Sequence, residues 1–141
     1  MSAPIVSAIV AAVLIILQQV LMITVGLHRA KAGIGVGVGS DVNLERKVRR
    51  HGNLAENSAL FIATLALAEL CGVSNAIVAG FGIIFVVARL SHALGFASLA
   101  GSHVGEKGSK AFPVMRAAGA FGTFFTGIGL GLFLAFTLAI A

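Results

Sequence analysis

Between Leu44 and Asn57 the sequence reads L-E-R-K-V-R-R-H-G-N-L-A-E-N, placing four cations (Arg46, Lys47, Arg49, Arg50), His51 and two acids at the front of one segment. At about 100° per helical residue, Arg46, Arg49, Asn53 and Glu56 share an arc of about 80°. Arg50 and Asn57 widen it, and Leu44, Val48 and Ala55 fall opposite. Guanidinium forks suit carboxylates, and a carboxylate suits an ammonium. The stripe is therefore where a ligand site would be built, or an Arg/Glu network that welds the bundle and marks its cytoplasmic face. From Ser58 to Ala68 no charge follows. An Arg-rich stripe running into an apolar helix is costly beside lipid unless it faces protein or a wet cavity.

The elements that carry the stripe belong to a membrane. The 141 residues are 58% hydrophobic and 11% charged, against about 25% charged in soluble domains, and the mean hydropathy is +1.04. One domain, residues 1–141, is expected, with helices at approximately 4–28, 42–71, 75–98 and 111–141. The first is apolar from Ile5 to Leu27, broken mainly by Ser7, Gln18, Gln19 and Thr24, and is long enough to span. No cleaved signal peptide is expected. Glycine then alternates with Ile or Val from Gly33 to Gly39. Without a following Lys-Ser/Thr or a preceding strand, this reads as a flexible loop rather than a nucleotide site. Asp41 or Asn43 is placed to cap the second helix. Arg89, His92 and Phe96 share a face of the third. Pro113 suits the first turn of the fourth.

Charge sets the orientation. All ten Lys and Arg lie near two connections, after helix one and after helix three, which a four-helix chain places on one side. The positive-inside rule makes that side cytoplasmic and turns both termini away from it. Because the cations flank apolar spans, nucleic acid is not an expected partner. Cys71 is the single cysteine, so no intrachain disulfide forms, and it reads as packing. His92 with His103 lacks metal-ligand spacing, so no metal site is expected. Glu69 reads as interfacial, His51 as structural, and Gln18 and Gln19 as hydrogen-bonding between helices. A small multidrug exporter would want a carboxylate in helix one, which has none.

Arg46, Arg49, His51, Asn53 and Glu56 complete the pattern R-x-x-R-x-H-x-N-x-x-E, which resembles the helix-two signature of the MAPEG family, membrane-associated proteins in eicosanoid and glutathione metabolism. The stretch A-R-L-S-H-A-L-G-F, from Ala88 to Phe96, is similar to the family's helix-three motif. Arg116 followed by Ala117-Ala118-Gly119 is similar to bacterial, microsomal glutathione transferase-like members. The resemblance implies an all-α, four-helix integral membrane bundle assembled as a homotrimer in the cell inner membrane. It also implies a glutathione site near the cytoplasmic side, between subunits.

Carried over by position, Arg29, Arg49, Asn53, Glu56 and His92 would bind glutathione as co-substrate, and Arg116 would be the catalytic, thiolate-stabilising arginine. Arg46 and Arg89 are assigned to structural ion pairs, with Glu56 the candidate partner of Arg89. The implied activity is conjugation of glutathione to lipophilic electrophiles, or glutathione-dependent reduction of lipid hydroperoxides. The alternative is a non-catalytic membrane protein that keeps the fold, with or without glutathione binding. Asn57 and Phe96 stand where several relatives carry Tyr. The chain has no Tyr, which excludes a mechanism needing a tyrosine hydroxyl.

Overall fold

In the computed structural model, which describes residues 3–102 and 107–140, four long helices follow one another: α1 (Ile5–Ala32), α2 (Val42–Leu70), α3 (Asn75–Gly95) and α4 (Ala111–Ala139). His103 and Glu106 lie outside the described residues. Helix α1 runs past Leu27 because His28, Arg29 and Lys31 complete its last turns. Gly33, at φ 66°, then closes it in the left-handed conformation, which glycine adopts without a Cβ clash. Asp41 is the cap of α2, its Oδ1 accepting from the N–H groups of Asn43 and Leu44 at 3.0 and 2.9 Å. Helix α3 stops at Gly95, short of the expected Ser98. Ser98 instead accepts from Ala100 N to start a single 3-10 turn, Leu99–Gly101.

The outer surface is apolar, and several polar side chains are buried within. Ile9, Ile16, Ile23, Leu60, Val87, Phe125 and Leu132 are exposed, whereas Arg89, His92, Glu69 and Thr123 are buried. That inversion is what a bilayer demands of a bundle. Three helices, α1, α3 and α4, are long and apolar enough to span. Helix α2 crosses with them despite its charged front, because it lies antiparallel along the whole of α1. At one end Glu69 accepts from Val6 N, Ser7 N and Ser7 Oγ at 3.0, 2.8 and 2.6 Å. At the other, His28 Nε2 and Asp41 Oδ2 are 2.8 Å apart. Twenty-nine residues at about 1.5 Å each reach about 43 Å, beyond a hydrocarbon core of about 30 Å.

Helices α3 and α4 meet through their backbones. A Cβ on Gly95 would stand 2.5 Å from Arg116 N, one on Gly122 would stand 2.9 Å from the Ala88 Cβ, and one on Gly119 would collide with His92 N and Ala88 O. Small residues let spanning helices approach this closely. The two helix pairs join through a core of Leu14, Leu54, Leu65, Val78 and Leu130. The stacked rings of Phe61 and Phe85, with centroids 3.7 Å apart, belong to the same core.

Candidate functional site

Arg89 is the centre of the site. It is 1% exposed, and its guanidinium reaches across three helices. Nη1 donates to Thr123 Oγ1 on α4 at 2.9 Å, and Nη2 donates to Asn53 Oδ1 on α2 at 2.6 Å. Nη2 also stands 3.3 Å from Nδ1 of His92, one turn along α3. Thr123 passes its own proton to the Gly119 carbonyl at 2.8 Å, which leaves its oxygen free to accept. The expected ion pair between Arg89 and Glu56 does not form. Asn53, one turn before Glu56 on α2, is level with the guanidinium, while Glu56 turns outward.

Glu56 instead faces Arg49 at 4.0 Å, both side chains more than half exposed. Arg46 ties α2 to the end of α3, donating to the Phe96 carbonyl at 2.5 Å and to Asn43 Oδ1 at 3.4 Å. These are neutral acceptors in place of the ion pair expected for it. Beyond His92 lies Phe96, the ring centroids 5.0 Å apart, and the guanidinium of Arg116 sits 4.6 Å above the Phe96 ring. Such a contact holds a cation without a hydroxyl. Arg116 also donates to the carbonyls of Gly101 and Ser102 at 3.1 and 3.4 Å, so it is bound into the α3–α4 connection. Arg29 lies apart from this group. Its Nη1 donates to the carbonyls of Ile34, Gly35 and Gly37 at 3.3, 3.4 and 2.7 Å, gathering the glycine-rich loop around itself.

Two cavities open along the seam of α2 and α4, with α3 behind. The polar one, 320 Å³, is lined by Asn53, Asn57, Arg89, His92, Thr123 and Phe124 among others. The second, 340 Å³, shares Asn57, Thr123 and Gly127 with it and continues past Leu60, Phe61, Phe85 and Leu130. Arg116, Arg49 and Arg29 are not among the lining residues of either. The structure thus brings Asn53, His92 and Arg89 together around one space. Glu56 joins the wall of the second cavity, Arg49 stands outside both, and the Arg116 guanidinium lies over the Phe96 ring. Sequence reasoning missed Thr123. Its signal was a hydroxyl interrupting an otherwise apolar span, which also describes Thr126 and Thr137. Among the described residues no group of three His, Cys, Asp or Glu could hold a metal ion.

The comparison with curated proteins and that with solved structures find no match. A family model, the MAPEG family, matches residues 7–136, which reaches into all four helices and takes in every residue of the Arg89 network. With that match over nearly its whole length, the chain belongs to the MAPEG family.

Proposed function

We propose that this protein is a glutathione-dependent membrane enzyme that conjugates glutathione to lipophilic electrophiles or reduces lipid hydroperoxides. The observation that carries the reading is the pair of joined cavities. One end is lined by Asn53, Arg89 and His92 and the other runs past Leu60, Phe61, Phe85 and Leu130, so a polar tripeptide and a lipid-dissolved partner would meet around Asn57, Thr123 and Gly127. Family membership supports a glutathione-related role. In conjugation the thiolate attacks an electrophilic carbon, which expels a leaving group or takes up a proton. In peroxide reduction one hydroperoxide and two thiols give alcohol, water and a disulfide. Both need thiolate, and a free thiol near pKa 8.5 supplies only a few per cent at neutral pH. A cation close to the bound sulfur raises that fraction, and Arg116 is the residue we assign to it. Arg49 and Glu56, exposed on α2, would meet the tripeptide's carboxylate and ammonium once a neighbouring copy covers them in a homotrimer. Arg29 would join from helix one, and the charged end would be cytoplasmic.

A second reading, binding without turnover, is favoured by one observation. Arg116 is already engaged with two carbonyls and the Phe96 ring. Calorimetric titration with glutathione, followed by turnover assays with an aromatic electrophile and a lipid hydroperoxide, separates the readings. Saturable binding with turnover is expected. Binding without turnover selects the second reading, and no binding overturns both. Arg49→Ala should weaken glutathione binding about tenfold, the scale of a lost charge-assisted hydrogen bond. Arg116→Ala should leave binding nearly intact and move the thiolate absorbance of the bound ligand to higher pH. Wild-type turnover and an unchanged titration in Arg116→Ala would remove it from the catalytic role.

A further inference from the structure

Every hydrogen-bond role around Arg89 is fixed by one fact: a guanidinium donates and never accepts. The Asn53 atom at 2.6 Å must therefore be the amide oxygen, which leaves its NH2 group to face elsewhere. The His92 atom at 3.3 Å must be a bare ring nitrogen, so the ring is neutral and its proton sits on Nε2. Asn53 and His92 both line the polar cavity. With Oδ1 and Nδ1 taken up by Arg89, the groups left to answer a ligand are two donors, Asn53 Nδ2–H and His92 Nε2–H. The guanidinium itself bonds only to neutral groups among the described residues, and its buried Nε has no partner. A buried cation without a counter-anion strongly favours a negative group nearby. Arg116 sits over the Phe96 ring and donates to the Gly101 and Ser102 carbonyls.

We infer that Arg89 is a positioning residue: through Asn53 Oδ1 and His92 Nδ1 it presents Asn53 and His92 to the cavity as a pair of hydrogen-bond donors that receive a thiolate or carboxylate. His92 then works as a neutral donor and cannot serve as the base that takes the thiol proton, because its one basic nitrogen faces a guanidinium. The anion recognised here rests on the glutathione reading. The orientation of the two side chains does not.

The first test needs no variant. Protein labelled with 15N-histidine in lipid nanodiscs reports each ring's tautomer by NMR at neutral pH, and the His92 signals are those lost in His92→Gln. A protonated Nε2 with a bare Nδ1 is expected. A protonated Nδ1, alone or with Nε2, overturns the inference. In Arg89→Met the ring loses its fixed donor, so the two tautomers should mix and KM for glutathione should rise about tenfold with a smaller change in kcat. If tautomer and KM both match wild type in folded Arg89→Met, the positioning role is wrong. Should that variant not fold, Thr123→Val removes one tether from the other side of the guanidinium, and the same two readouts apply in the same directions.

Ligand titrations then separate the two claims. A tautomer as inferred, with no glutathione binding by calorimetry, would end the glutathione reading and leave the role of Arg89 standing. Where glutathione binds, a shift of His92 Nε2 with glutathione but not with S-methylglutathione identifies the thiolate as the received group. A shift with both identifies a carboxylate. Binding with no shift from either overturns the donor assignment.

Discussion

The two hairpins of this bundle are joined in opposite ways. Helices α1 and α2 are held by side-chain clasps at three levels: Glu69 on Val6 and Ser7, Gln18 against His51 at 2.6 Å, and His28 on Asp41. Helices α3 and α4 are held chiefly by close backbone approach at Gly95, Gly119 and Gly122, with side-chain bonds from Ser91 to the Met115 carbonyl at 2.8 Å and from Arg89 to Thr123 Oγ1 at 2.9 Å. Clasps can fail one at a time, since each is a separate charge or hydrogen bond. A glycine seam fails as a whole, because any added atom drives two helices apart. The ligand cleft lies between these halves. Its His92 stands on the seam directly against Gly119, whereas Asn53 comes from the clasped pair.

The largest effect should come from the seam. Gly119→Leu places a side chain where not even a Cβ fits, against the backbone of His92 and Ala88. Overpacking costs about 1–3 kcal/mol where side chains can yield, and here the obstacle is main chain, so loss of folded protein is expected. Gly127 is the control on the same helix. Nothing lies within 4 Å of its would-be Cβ, yet it lines both cavities. Gly127→Leu should fold, with an unchanged unfolding midpoint in a detergent titration, and lose ligand affinity by filling the cleft. Equal tolerance of both substitutions would break the distinction between seam and cleft.

A middle-sized effect belongs to the far clasp. Glu69 is 7% exposed and accepts three hydrogen bonds, two of them from the first turn of α1, whose N–H groups would otherwise be unsatisfied in lipid. Glu69→Ala should cost about 2–3 kcal/mol, the scale of hydrogen bonds to a charged group. Ligand affinity should stay unchanged, since the site lies toward the other end. A loss confined to affinity would mean that the α1–α2 pair is not held here.

Much of this was legible beforehand, and the misses have physical causes. The stripe from Arg46 to Glu56 is a local pattern, so its face and its family resemblance could be read from spacing alone. The cap at Asp41 could be read in the same way. Glu69 was expected at the interface because its sequence neighbours are apolar and it lies near a helix end. Its partners, Val6 and Ser7, are more than sixty residues away, and no periodicity couples them. Arg89 was paired with Glu56 by charge. The fold puts it level with Asn53 instead, and a difference of one helical turn decides which of two polar neighbours a rigid fork reaches.

The smallest effect should come from the near clasp, and its pH dependence has a definite sign. Asp41 caps α2 through one oxygen and meets His28 through the other. Its carboxyl is held below the usual carboxylate range, first by the N–H of Leu44 and then by the bond to His28. A group whose folded pKa is depressed stabilises the fold above its unfolded pKa, and that contribution disappears as pH falls through the folded value. The gap in unfolding midpoint between wild type and Asp41→Ala should therefore be widest at neutral pH and narrow as pH falls through the lowered pKa, leaving what the neutral carboxyl oxygen still caps. Asp41→Asn should keep most of the cap, because an amide oxygen also accepts from Asn43 and Leu44, and wild type should approach it once the carboxyl is protonated. Because the clasp is solvated at the charged end of the bundle, salt screens its ionic part, and the wild-type advantage over Asp41→Asn should shrink at high ionic strength. The Glu69 clasp, sealed inside the bundle, should show no such shrinkage. If Asp41→Asn falls as far as Asp41→Ala and salt changes nothing, the carboxylate acts through packing alone, and the near clasp is not electrostatic.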